Sequence, residues 1–265
     1  MSLDNMYLKD DIAFASRNLE NYFKRAQILP EISNLTPPSY ENSVSSKIIE
    51  WTSKSESGML CVADSTSNRV AHQSQPARLA AIYIDYATRS DLPSISYFCE
   101  LSRDEPLRPD NSRESQALLA LAYSLIRQLV EILPPEFESP YDLSEEKFAS
   151  MDGTLKTWKV TTEILRSLIS FIPKKLFCII NGLQILDDKS TESSLDELVQ
   201  LLHGLSVPDE HSVKVLFTTE GRSRCLLRTL KKSELVFADH ERAGSGARRT
   251  FGRQRFIIQP GEDDK

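Results

Sequence analysis

Cysteine and histidine are the residue types that would form a zinc site or a thiol–histidine pair. The four cysteines lie at positions 61, 99, 178 and 225, and the four histidines at 72, 203, 211 and 240. This spacing contains neither a CxxC pair nor an HExxH motif. Three of the cysteines sit inside apolar runs, MLCV, SYFCEL and LFCII, which is typical of inert core residues. We therefore predict no zinc site, and a reactive thiol with a histidine partner is the alternative to a core role.

Arginines are concentrated near the end of the sequence, where they could bind phosphates. The stretch HERAGSGARRTFGRQRF contains five arginines and one glutamate, with Phe251 and Phe256 among them. Arginines could neutralise nucleic-acid phosphates there while the aromatic rings stack on bases. The net charge of the whole chain, however, is -6, which disfavours a general affinity for nucleic acid or anionic membrane. We predict a basic, flexible tail, with residues 241–255 as the only candidate for nucleic-acid binding.

Short apolar runs predict the strands that would position a site. They lie at residues 59–63, 95–100, 176–181, 213–218 and 234–238. Segments with helical periodicity separate them, an order typical of parallel strands joined by right-handed crossovers. The pattern predicts an α/β fold in three layers, with a mainly parallel five-stranded sheet and helices on both faces.

The helical segments have recognisable starts and stops. Ser74 and Pro76 precede a helix with one apolar stripe, and further helices are predicted over 114–133, 161–171 and 194–205. Residues 10–29 predict an amphipathic helix that ends at Pro30. It either packs across the core or docks to a partner. We expect three regions: this helix and a proline-rich hinge over 1–39, the α/β domain over 40–239, and the basic tail over 240–265.

Composition restricts the class of protein. The chain has 265 residues, 40% of them hydrophobic, which is enough for a sizeable core. Charged residues interrupt its first thirty positions, and no apolar run approaches the roughly 18 residues of a membrane span. We predict a cytoplasmic protein without a signal peptide or a membrane partner.

Three segments together resemble the nucleotide-binding core of fungal STAND or NACHT-type P-loop NTPases, which are NLR-like signalling proteins. They are IIEWTSKSESGMLCVADS, LFCIINGLQILDD and VKVLFTTEGR, similar to the strand before the Walker A loop, to Walker B and to the phosphate-sensing strand. The helix ALLALAYSLIRQLVEILPPEF is similar to the long helix after the second strand of that family. The resemblance covers residues 47–240 and implies a P-loop NTPase-like fold.

The stretch at the Walker A position lacks the residues that hold phosphates. A P-loop uses glycines to wrap backbone N–H groups around the phosphates and a lysine to neutralise them. Here the equivalent stretch, ADSTSNRVAHQSQPARLA, contains neither glycine nor lysine. Arg78 is the best substitute for the lysine and Arg69 the second. A solvated surface role is the alternative for either arginine.

The Walker B and sensor segments also depart from the family pattern. The resemblance places the magnesium-holding acid at Asn181 and the next acids at Gln184 and Ile185, so hydrolysis by the family route looks lost. An alternative alignment makes Asp187 the metal ligand and Asp188 the activator of water.

In the sensor segment, Thr218 and Thr219 remain and the expected arginine is displaced to Arg222. These groups could hydrogen-bond a phosphate, or the threonines could only cap the next turn.

These departures favour a degenerate, non-catalytic NTPase-like module that acts through an unknown protein partner and needs no cofactor. The alternative is an unconventional ATP- or GTP-binding NTPase, with magnesium, that uses Arg78, Thr218 and Asp187.

Overall fold

The computed structural model describes residues 5–30, 37–64, 74–204 and 212–238. Within these ranges, helices and strands alternate along most of the chain. In order, the elements are β1 (Asn5–Leu8), α1 (Lys9–Ala15), α2 (Arg25–Ile28), α3 (Asn42–Ser53), β2 (Gly58–Asp64), α4 (Gln75–Arg89), β3 (Ser94–Phe98), α5 (Arg113–Glu131), β4 (Glu136–Ser139), α6 (Glu145–Ala149), α7 (Trp158–Ile169), β5 (Lys175–Asn181), α8 (Glu192–Gly204), β6 (Ser212–Glu220), α9 (Arg224–Thr229) and β7 (Leu235–Ala238).

The central sheet has five strands in the order β3-β5-β6-β2-β7, and every neighbouring pair is parallel. These are the five strands that the apolar runs predict. Helices cover both faces of the sheet, so the predicted three-layer α/β fold is confirmed. The arrangement is consistent with a P-loop-like fold.

The direction of winding reverses within this sheet, and the reversal locates a crevice. From β2 the chain crosses to β3 at the far edge, then returns through β5 and β6 before it passes β2 to reach β7. The helices change face accordingly: α3 and α4 pack on one face, the α4 face, and α5, α7 and α8 on the other, the α5 face. In open α/β sheets ligands bind at such a reversal, in the crevice outside the carboxyl ends of the strands; here the corresponding position lies between β2 and β6.

The predicted starts of the main helices are confirmed in their local hydrogen bonds. The Ser74 hydroxyl accepts a bond from the backbone N–H of Ala77 at 3.3 Å, with Pro76 in the first turn. At α5 the Ser112 hydroxyl accepts from the N–H of Ser115 at 3.1 Å. These caps satisfy donors that a helix start would otherwise leave unpaired.

The N-terminal segment differs from the continuous helix predicted over 10–29. Helix α1 ends at Ala15, and a 3-10 turn over Arg17–Tyr22 and the short α2 follow. The break has a partner on α5: the Arg127 guanidinium donates to the carbonyl of Ala13 at 3.1 Å and to the Ser16 hydroxyl at 2.7 Å. This side chain therefore occupies the end of α1, and Ile12 and Leu19 still pack in the core on the α5 face.

The outer edge of β3 is closed by a side chain. The Gln128 side chain of α5 accepts from the Ser96 N–H at 2.8 Å and donates to the Ser96 carbonyl at 2.9 Å. A primary amide thereby imitates the next strand of the sheet. This pairing satisfies backbone groups that an edge strand would otherwise offer to another chain.

Helix α3, which the sequence analysis did not predict, is fixed to the sheet by a buried lysine. Lys214 of β6 is 4% exposed, and its Nζ donates to the carbonyl of Trp51 at 2.8 Å. The ammonium also lies 5.7 Å from the centre of the Trp51 ring. Burial, and then the positive charge of Lys54, lower the pKa of Lys214 to about 8.

Across the described ranges, no helix combines the length and the apolar character needed to cross a membrane.

The predicted region limits at 39 and 239 stay predictions, and the predicted tail over 240–265 lies outside the described residues.

Candidate functional site at the carboxyl edge of the sheet

Three polar side chains lie at the carboxyl ends of the adjacent strands β5, β6 and β2, where the winding of the sheet reverses. Because side chains alternate along a strand, Asp64, Asn181 and Thr218 follow core residues Val62, Ile179 and Leu216 onto the α4 face. The strand register places Asn181 beside Thr218 and Asp64 beside Glu220. The structure thus brings together the predicted residues Asn181 and Thr218, and adds Asp64.

Asn181 and Thr218 are joined directly. The Thr218 hydroxyl, which is fully buried, donates to the Asn181 side-chain oxygen at 2.9 Å. That oxygen is the one that would have to face a magnesium ion if Asn181 were a metal ligand. The bond therefore uses one of the two lone pairs of this oxygen for the neighbouring strand.

The turn after Asn181 requires a glycine. Gly182 has φ of +81°, and a Cβ added to it would lie 3.1 Å from the carbonyl oxygen of Cys99. Its N–H donates to the carbonyl of Thr218 at 2.8 Å, while the Cys99 N–H donates to the carbonyl of Asn181 at 2.8 Å. A side chain at position 182 would be strained by the positive φ, and its Cβ would press on the carbonyl of Cys99.

Asp64 places a carboxylate where the strand meets the crevice. Asp64 is fully buried, and its backbone carbonyl accepts a hydrogen bond from the Gly221 N–H at 2.6 Å. The hydroxyl of Tyr40 is enclosed nearby: burial first, then the negative charge of Asp64, raise the pKa of Tyr40, whereas the positive charge of Arg78 lowers it. Tyr40, Asp64 and Arg78 therefore form one electrostatic group beside the first turn of α4.

The remaining sensor residues turn away from this group. The buried Thr219 hydroxyl donates to the Gly221 carbonyl at 2.8 Å, a local turn contact of the kind that the sequence analysis gave as an alternative. Arg222 is exposed, and its guanidinium lies 5.2 Å from the centre of the Phe237 ring of β7. The structure therefore does not bring Arg222 to Thr218.

The Asp187 carboxylate accepts hydrogen bonds from backbone N–H groups at the start of α9. One carboxylate oxygen accepts from the N–H of Arg224 at 2.7 Å and the other from the N–H of Cys225 at 3.2 Å. A carboxylate is stabilised at a helix start because it satisfies unpaired N–H groups there. Both oxygens of Asp187 thus have structural partners.

Magnesium with ATP fits this set of residues poorly. Among the described residues, no group of three or more histidine, cysteine, aspartate or glutamate side chains could hold a metal ion. Each side-chain oxygen of Asn181 and Asp187 already accepts a hydrogen bond, and two further acids, Asp64 and Glu220, are neighbours at the ends of β2 and β6. Arg69, the second candidate for phosphate binding, lies outside the described residues.

The cysteines lie in the core. All four are free and buried, and burial raises the pKa of Cys61 and of Cys178 to about 12. The same cause raises the pKa of Cys99 and Cys225. A thiol with a raised pKa is a weak nucleophile at neutral pH, so the predicted core role is confirmed.

Sequence reasoning did not identify Asp64 and Tyr40 as parts of the site. Asp64 had a usable signal, since it is an acid directly after the apolar run MLCVA and at the end of a predicted parallel strand. Tyr40 had none, because it lies far along the chain from Arg78 and reaches the crevice only through the packing of the segment before α3.

Comparison with known proteins places the chain in a family. The family described as Nephrocystin 3, N-terminal, matches residues 78–220, from the first turn of α4 to the end of β6 and more than half of the chain. No curated protein matches significantly, and neither does any solved structure. By the extent of this match, the chain belongs to the Nephrocystin 3, N-terminal family.

Proposed function

We propose that this chain is a degenerate, non-catalytic NTPase-like module of a fungal STAND-type signalling protein, and that it acts in the cytoplasm through contacts with a protein partner. The observation that carries the proposal is the pairing of Asn181 with Thr218. Asparagine stands where the resemblance puts the magnesium-holding acid, and its oxygen accepts the Thr218 hydroxyl at 2.9 Å. A neutral amide is a far poorer partner for magnesium than a carboxylate.

Charge at the crevice supports the same proposal. Asp64 and Glu220 are neighbours in the register of β2 and β6, and Asp64 is fully buried. A nucleoside triphosphate seated at this edge would bring its negative phosphates against two carboxylates, in a region where water screens charges weakly. Arg78, in the first turn of α4, offsets part of that repulsion.

The test is titration of the full chain with ATP, ADP, GTP and GDP in the presence of magnesium. We expect no calorimetric heat of binding and no shift of the melting temperature with any of the four. Micromolar binding by the unaltered chain, lost in Arg78→Ala, would overturn the non-binding form of the proposal.

A second candidate function is an unconventional NTPase that uses Arg78, Thr218 and Asp187. The observation in its favour is the position of Arg78 in the first turn of α4, beside Asp64 at the crevice. Helix starts attract anions because their backbone N–H groups are unpaired and the helix dipole is positive there.

Phosphate release separates the two candidates. If the second is right, the unaltered chain releases phosphate faster than the double variant Arg78→Ala, Asp187→Asn. Equal rates would exclude it. Because both Asp187 oxygens cap α9, melting curves of the double variant must first establish that it is folded.

A further inference from the structure

One face of the small sheet formed by β1 and β4 carries apolar and acidic side chains that are exposed. Residues directly opposite each other in an antiparallel pair have their side chains on the same face. The register places Leu8 opposite Glu136 and, two residues on, Met6 opposite Glu138. All four are exposed, Met6 by 60% and Leu8 by 45%. Tyr7 packs against the core on the other face, so the outer face is the exposed side of this sheet.

The same surface continues onto α1 and onto the segment after β4. On α1, Phe14 is 62% exposed and lies about one helical turn after Asp10, which is also exposed. After β4, Tyr141 is 43% exposed, and its carbonyl accepts the Tyr7 hydroxyl at 3.1 Å. Helix α6 packs beside α1. We call this surface the acidic face, and its exposed carboxylates include those of Asp10, Asp11, Glu136, Glu138, Glu145 and Glu146.

The negative charge of the acidic face is not compensated by the described part of the chain. None of these six carboxylates forms an ion pair with another described residue. The basic groups of the region have other contacts: the Lys9 ammonium donates to a backbone carbonyl at the end of α5 at 2.6 Å, and Lys147 pairs with Glu163 at 3.1 Å. Arg17 lies 5.8 Å from the centre of the Phe14 ring. Exposed apolar side chains among unpaired carboxylates suit an occupant that is basic and partly apolar.

The chain itself contains a segment with this composition. Residues 242–256, which lie outside the described residues, include five arginines and two phenylalanines and no acid. They follow β7, and residues 239–255 can span up to about 60 Å when extended. A domain of this size has a radius of gyration of about 18 Å. The segment is therefore long enough to reach the acidic face of its own molecule.

We propose that residues 242–256 dock on the acidic face of the same molecule. Their arginines pair with the exposed carboxylates, and Phe251 and Phe256 contact exposed apolar side chains such as Met6 and Leu8. The covalent link favours this contact over one with a second copy, because it holds the segment at an effective concentration on the order of mM. Docking keeps the arginines away from phosphates. The proposal goes beyond the proposed function and does not rest on it.

Limited digestion of the full chain with trypsin tests the proposal, because trypsin cuts after arginine and docking protects the segment. The rate of cleavage within residues 242–255, read by mass spectrometry, follows the population of the undocked state when docking is fast. The double variant Glu136→Gln, Glu138→Gln removes two charges from the acidic face at exposed positions. We expect cleavage of this segment to be about fivefold faster in the variant than in the unaltered chain.

Glu41→Gln, Glu56→Gln is the matched control. It removes the same number of charges at exposed positions on either side of α3 and should leave the cleavage rate unchanged. Cleavage within residues 74–204 in the same digests shows whether each variant is folded. Equal rates in the two double variants would overturn the proposal. Protection that appears only as the protein concentration rises from about 1 to 100 µM would assign the contact to a second copy and would also overturn it. None of these outcomes bears on nucleotide binding.

Discussion

Thr218 joins the ends of β5 and β6 through one hydroxyl, which donates to Asn181 at 2.9 Å. Thr218→Val keeps the shape of the side chain but removes this donor from a fully buried position. We expect the free energy of unfolding to fall by about 1 to 2 kcal/mol, the usual cost of leaving a hydrogen-bond partner unpaired. Urea denaturation measures it.

Thr88→Val provides the comparison for that measurement. The Thr88 hydroxyl donates to the Ile84 carbonyl at 2.9 Å, but on an exposed part of α4 where water can replace the bond. Its loss should change stability by less than about 0.5 kcal/mol. Equal effects of the two variants would mean that the Thr218 bond contributes nothing beyond an ordinary surface hydroxyl.

The lowered pKa of Lys214 should make the stability of the protein depend on pH. Its pKa in the folded protein, about 8, lies below its ordinary value of 10.5 because burial disfavours the ammonium. Between these two values the unfolded chain binds more protons than the folded one, so the contribution of Lys214 to stability increases as pH rises through this window and is lost as pH falls through about 8.

The matched variant is Lys214→Met, which has a similar length and no charge. We expect the stability of the unaltered protein, minus that of the variant, to rise by about 2 kcal/mol between pH 7 and pH 9.5. Taking the difference removes the contributions of other titrating groups. A difference that stays constant over this range would show that Lys214 titrates normally.

The sequence predicted the helices and strands whose signals are local. The five strands of the central sheet are apolar runs, and α4 and α5 combine an apolar stripe with a serine cap. Strands β1 and β4 were missed because each has only four residues and finds its partner more than a hundred positions away. Distant contacts of this kind leave no periodicity in either segment.

Contacts between residues far apart in the sequence also explain the features that the sequence did not predict at the site and in the N-terminal segment. The resemblance placed Asn181 and Thr218 in the same kind of site, and they meet because parallel strands present their carboxyl ends at one edge of the sheet. The capping of α9 by Asp187 could not be predicted, since α9 has only six residues. The break at Ser16 depends on Arg127, which lies on a helix elsewhere in the sequence.

Removal of the amide that closes the edge of β3 should destabilise the protein. Gln128→Leu retains a buried side chain of similar size but leaves the N–H and carbonyl of Ser96 without their partners. We expect a loss of about 2 to 3 kcal/mol in the free energy of unfolding and an increase in light scattering on warming, because an open edge pairs with other chains.

Gln116→Leu is its control on the same helix. Gln116 accepts the Arg108 N–H at 3.1 Å at a half-buried position away from any strand edge, so the variant should lose about 1 kcal/mol or less and scatter no more than the unaltered chain. If both glutamine variants behave alike, closure of the β3 edge is not the source of the effect.

The net charge of -6 opposes the attraction of the arginine-rich stretch 241–255 for phosphates. We expect no binding of single-stranded DNA or RNA by the full chain at about 150 mM salt, because counterion release then contributes little. Fluorescence anisotropy at several salt concentrations measures this. Binding that weakens steeply with salt and disappears when residues 241–255 are deleted would establish a nucleic-acid site there.

Because all four thiols are buried, the rate at which each one is labelled measures how often its segment unfolds locally. A thiol reagent can modify a cysteine only when its segment becomes exposed, so the order of labelling, read by mass spectrometry, reports the order in which segments open. We expect Cys225 to react first, since α9 is a short helix. Cys61 and Cys178, on β2 and β5 of the sheet, should react together and at the rate of global unfolding.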